Sequence, residues 1–173
     1  RAVHGHATLT EIALSAFEGN PSEALHLAFE LAPLADEIGD DSVRFGVFGN
    51  LAHLLGIQAR YDEALQWLER ALHKRHFGGG VEIPLRDTLM QIYLWNESLA
   101  EAATQAEVTN NLLADSEDAE SFYGLWHLLT RVKWLYRIDE SAAGLTLATA
   151  SLPKIERMAD RNLLERMNLL AAE

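Results

Sequence analysis

Apolar residues return every three to four positions along almost the whole chain, the spacing that lines one face of a helix. The pattern predicts helices over roughly 3–18, 21–38, 42–58, 61–76, 83–96, 98–114, 117–137, 139–159 and 161–172. Turn formers fall between them. Gly19-Asn20-Pro21 supplies a turn, an N-cap candidate and a proline at the first helical position. Gly39-Asp40-Asp41-Ser42 ends one helix and caps the next. Gly78-Gly79-Gly80 reads as a connector, and Asp115-Ser116-Glu117 offers capping oxygens. Long gaps are absent, so one continuous all-α stack over 1–173 is expected.

An alanine-centred motif recurs about every 40 residues. Its clearest copy is Arg60-Tyr61-Asp62-Glu63-Ala64-Leu65-Gln66-Trp67-Leu68-Glu69-Arg70-Ala71-Leu72. Echoes sit at Pro21-Ser22-Glu23-Ala24-Leu25, Leu99-Ala100-Glu101-Ala102 and Glu140-Ser141-Ala142-Ala143-Gly144, where either Ala142 or Ala143 could be the contact alanine. A period of this size means stacked helical hairpins, each burying its apolar face against its neighbours. Four pairs and the start of a fifth are expected, as a fragment of a larger protein. Pro33 and Pro153 lie 120 residues apart, three repeats of 40, which aligns Ala24 with Gly144. Each sits inside a predicted second helix, where the missing N–H and the crowded carbonyl four residues back predict a bend.

Composition narrows the function more than the fold. Hydrophobic content of 49% and charged content of 23% are globular values. A net charge of −12 excludes a whole-domain grip on nucleic acid, which needs a basic footprint. The cluster Arg70, Lys74, Arg75 reads instead as the solvated end of a helix, where the dipole favours cations. The absence of cysteine removes disulfides and thiolate metal sites. With no signal peptide and no apolar stretch of membrane-spanning length, a cytoplasmic setting without membrane contact is expected.

The stretch Phe48-Gly49-Asn50-Leu51-Ala52, followed by Leu55, Tyr61, Ala64, Leu68 and Ala71, resembles the tetratricopeptide repeat. Leu89, Tyr93 and Ala102 extend the likeness into the third repeat, and Trp126 and Leu129 into the fourth. The period near 40 departs from the family's usual length of about 34. It is similar to the longer-helix subtype in the sensory parts of MalT-like bacterial transcription activators and in repeat-bearing regulators and cyclases. The resemblance implies a right-handed helical superhelix that binds a protein segment or an effector.

Most motifs for chemistry are missing. Glu69, His73 and His76 share a helical face and could offer metal ligands, but Lys74 and Arg75 beside them oppose a cation, so no metal or cofactor is expected. His4-Gly5-His6 falls at a terminus expected to fray. The triple glycine lacks the lysine and the serine or threonine of a phosphate loop, and no nucleophile elbow or zinc-protease helix appears, so no enzyme is expected.

In the resembled family the first helix of each pair lines the groove. That register implies Asn50 and His53 in the second repeat, and Asp87, Gln91 and Trp95 in the third, as a ligand or peptide surface. In the fourth it implies Tyr123, His127, Arg131 and Trp134, at intervals of four, four and three. The competing reading makes Trp126, Trp134 and Tyr136 inter-repeat core. The leading expectation is a non-enzymatic protein- or peptide-binding segment of a signalling or transcriptional regulator, whose partner could be a neighbouring domain of the same protein. The alternatives are a small-molecule effector site in the same groove, or an oligomerisation module forming a homo-oligomer through exposed end faces.

Overall fold

Alanine, leucine and glutamate favour helix, and the computed structural model, which describes residues 2–73, 81–114 and 117–172, is all-α. Its helices are α1 (Ala2–Phe17), α2 (Pro21–Ile38), α3 (Asp41–Ile57), α4 (Tyr61–Leu72), α5 (Glu82–Trp95), α6 (Leu99–Ala114), α7 (Phe122–Arg137), α8 (Ser141–Met158) and α9 (Arg161–Ala172). A short 3-10 turn, Glu117–Glu120, precedes α7, and no strand occurs among the described residues. Gly78-Gly79-Gly80, Lys74, Arg75, His76 and Asp115-Ser116 lie outside the described residues.

The hairpin turns share one backbone solution. Gly19, Ala59, Glu97 and Asp139 each take a left-handed conformation, with φ of 84°, 58°, 58° and 61°. In each turn that residue's N–H donates to the carbonyl three back, as in Ala59 to Gly56 at 3.0 Å. The next N–H donates to the carbonyl five back, as in Arg60 to Leu55 at 3.0 Å and Glu140 to Leu135 at 2.9 Å. This is the Schellman arrangement, which satisfies carbonyls that a helix end leaves open. Only the first turn has glycine there.

The second helix of each pair then places a small residue at its fourth position. Ala24, Ala64 and Ala102 are wholly buried, and Gly144 is buried at the same place in α8. Ala142 and Ala143, the alternatives read from the fourth motif, are both exposed. The contact residue is Gly144, the position that the 120-residue spacing of Pro33 and Pro153 aligns with Ala24, because the turn before α8 has three residues like the other hairpin turns. A second correction concerns α7. It starts at Phe122 rather than near 117, because Ser121 caps it by accepting the Gly124 N–H at 3.2 Å.

Asp40 bears out the cap expected before α3, accepting from the Ser42 and Val43 N–H groups at 2.9 and 3.3 Å. Its second oxygen faces His6 Nε2 at 3.4 Å, so His6 is tied to α3 rather than frayed. Asp160 repeats this arrangement before α9. One oxygen accepts the Leu163 N–H and the other the Trp126 indole N–H, both at 3.0 Å. Asn20 occupies an N-cap position but makes no side-chain capping bond.

Two compact units form, residues 1–88 and 89–173. In the first, α1 packs on α2 and α3, α2 on α3, and α3 on α4. α3 is buried on nearly every side through Val43, Phe45, Val47, Phe48, Leu51 and Leu55, as its all-round apolar sequence requires. In the second, α7 packs on α8, α6 and α9, and α8 on α9. Leu125, Leu129, Val132, Ile155, Leu163 and Met167 form its larger cluster, each side chain contributing about 1.5–3 kcal/mol on full burial. Met90, Leu94, Ala102 and Ala106 form a smaller one. Among the described residues, no helix is long and apolar enough to cross a membrane.

Candidate recognition surface

In the first unit, charge and aromatic rings interlock across three helices. Asp36 of α2 pairs with Arg44 of α3 at 2.9 Å and with Arg70 of α4. Arg70 lies 4.9 Å over the Phe48 ring and 5.2 Å from that of Trp67, and Phe48 and Trp67 stand 5.2 Å apart. Cation–π contacts of this kind contribute roughly 0.5–2 kcal/mol each. Arg70 is therefore a packing residue as well as the solvated helix-end cation read from the sequence. A cleft of about 430 Å³ beside it is lined by Arg44, Gln66, Glu69, Arg70 and His73. The two guanidiniums there are balanced by Asp36 and Glu69, which leaves no surplus charge for a ligand. Among the described residues, no group of three histidines or carboxylates could hold a metal ion.

The residues singled out from the sequence divide between the two units. Asn50, His53 and Asp87 belong to the first: Asn50 and His53 are half-buried on α3, and Asp87 is only 6% exposed. Gln91, Trp95, Tyr123, His127, Arg131 and Trp134 belong to the second. There Tyr123 is 47% exposed beside Phe122, whose ring meets its own at 5.3 Å. His127 is 0% exposed, so it faces the interior rather than an open groove. Trp134 packs against Met90, Leu94, Ala102 and Ala106, and Trp126 and Tyr136 against the larger cluster; the core reading applies to all three. The helical stripe on α7 is real, but most of it points inward.

Gln91 and Trp95 do come together, one turn apart on α5, in a cleft of about 310 Å³. Its other walls are Leu94, the α7 residues Lys133, Tyr136 and Arg137, and Leu170 of α9. The Tyr136 hydroxyl donates to the Leu170 carbonyl at 2.5 Å, fixing one wall. Lys133 and Arg137 are both exposed and sit one turn apart, so their charges project from the same side of α7. No carboxylate lines the cleft among the described residues. Lys133 and Arg137 were not singled out in the sequence, and Tyr136 only as a core candidate; the signal for the two cations was their i, i+4 spacing in a chain of net charge −12.

Two groups nearby are perturbed by burial. Tyr93 is pushed above the ordinary phenol range, first by burial and then by the Glu101 charge. The Arg131 guanidinium is pushed below its ordinary value by burial alone. Compared with family models, curated proteins and solved structures, the chain matches none.

Proposed function

We propose that the chain is a non-enzymatic recognition module, a tetratricopeptide-like solenoid within a larger regulator, and that it holds an acidic segment of a partner protein. The observation that carries this reading is the α5–α7–α9 cleft. A strongly acidic chain places Lys133 and Arg137 together there with Trp95 and Gln91. An apolar wall, a bipartite amide and two cations suit a segment with one apolar side chain next to a carboxylate. The partner in this reading is a neighbouring domain or a separate protein of the same regulatory pathway.

The test is fluorescence anisotropy of labelled acidic peptides, followed across salt concentration. Arg137→Glu should reverse the local charge and weaken binding by at least tenfold, or about 1.4 kcal/mol, with a flatter salt dependence. Trp95→Ala should weaken it with the salt slope kept. Binding unaffected by both changes would remove the cleft from the function.

A second reading is favoured by size alone. A volume of about 310 Å³ is at the small end for an effector pocket. A small ligand would show a saturable melting shift that no peptide reproduces.

A further inference from the structure

Arg131 sits in the middle of α7, half-buried, and its Nε is buried with no hydrogen-bond acceptor. No carboxylate among the described residues pairs with it, and burial alone displaces its titration. A cation held this way is costly unless an anion joins it. One turn further on, the indole Nε1 of Trp134 is also buried without an acceptor. The ring is held against Met90, Leu94, Ala102 and Ala106, so the direction of that N–H is set by the core. Buried indole N–H groups ordinarily find a partner. Residues three apart on a helix share a face, which sets Arg131 and Trp134 on the same side of α7.

The chemistry of the missing acceptor follows. A water could accept from the indole, but it would leave the guanidinium charge unbalanced. A carboxylate supplies the charge, and its two coplanar oxygens match the planar fork of arginine. A phosphate monoester would bring a charge of about −1.5 to −2, which one guanidinium does not balance. We propose that Arg131 and Trp134 form a receptor for a single carboxylate, carried either by an aspartate or glutamate side chain of a partner segment or by a free small acid. Neither Arg131 nor Trp134 lines the α5–α7–α9 cleft, so this site stands or falls independently of the function proposed above.

The experiment is thermal unfolding of the full chain in chloride buffer, then with acetate titrated in at constant ionic strength. A parallel arm uses a short end-capped peptide containing one glutamate. Acetate should raise the wild-type midpoint saturably. Arg131→Met, which keeps much of the volume and removes the charge, should melt at or above wild type in chloride and gain nothing from acetate. Trp134→Phe, which keeps the ring and loses the N–H, should need about 3- to 10-fold more acetate for the same shift. A peptide more potent than acetate assigns the site to a protein partner, and the reverse assigns it to a free acid; either supports the site. A lower melting point or failed folding of Arg131→Met in chloride would show the arginine to be structural and overturn the proposal. So would an acetate response that is absent, or shared equally by wild type and Arg131→Met. Equal titration of Trp134→Phe and wild type would overturn the two-donor site.

Discussion

Gly144 of α8 lies directly under the ring of Tyr136 of α7: a Cβ added at the glycine would stand 2.6 Å from Cε1 and 2.8 Å from Cδ1. The ring cannot easily retreat, because its hydroxyl is tied to the Leu170 carbonyl of α9. Three helices thus meet through one glycine and one tyrosine. Gly144→Ala should cost about 1–3 kcal/mol through overpacking, although alanine is the better helix former. Urea denaturation measures this, and an unchanged midpoint would show that the ring moves freely.

Ala64 holds the same fourth position in α4 and is wholly buried. Ala64→Leu should destabilise by roughly 1–3 kcal/mol, since the added carbons have no space between α4 and α3. Circular dichroism during thermal unfolding would read the loss. A melting curve that overlays wild type would place the alanine outside the crossing.

Ala59 and Glu97 pose the opposite case. Both are exposed, and both hold a left-handed conformation that disfavours a side chain. Ala59→Gly and Glu97→Gly should each stabilise by about 0.5–1 kcal/mol. The control is Ala100→Gly on an exposed face of α6, which should destabilise by about 1 kcal/mol. Equal destabilisation at all three sites would mean that the left-handed turns carry no strain.

The Asp40 cap sets a pH dependence. The hydrogen bond from the Ser42 hydroxyl, followed by that from the Val43 N–H, holds its carboxyl below the ordinary aspartate range. A carboxylate whose folded value is depressed contributes stability above its unfolded value, near pH 4, and loses it as pH falls through the folded value. Asp40→Ala should therefore melt below wild type at neutral pH, and the gap should close as the pH is lowered past about 4. A gap that stays constant into acid would exclude ionisation of Asp40 as its source.

Apolar spacing located the helices to within a few residues, because burial of one face is what stabilises them. The start of α7 escaped it. Ser121 is a single capping residue behind an acidic run, and the 3-10 turn ahead of it offers similar capping oxygens. The turns at Ala59 and Glu97 carry no glycine, so their left-handed geometry left no mark in the sequence. The site was legible only in part. The register of the resembled family put His127 on the groove face, yet the helix packs it inside. Lys133 and Arg137 carry no sequence mark beyond their spacing, because the cleft depends on Trp95 and Leu170, which come from other helices.

Asp40 and Asp160 each use one carboxylate for two tasks, starting a helix with one oxygen and holding a side chain of the preceding pair with the other. In a linear array of weak neighbour contacts, fraying could in principle stop at any boundary between pairs. Here the group that starts one helix also fastens the pair before it. Release of either tie therefore loosens the other, and the damage crosses the boundary within each unit. Within each unit, one carboxylate thus couples the start of a helix to the helix pair that precedes it.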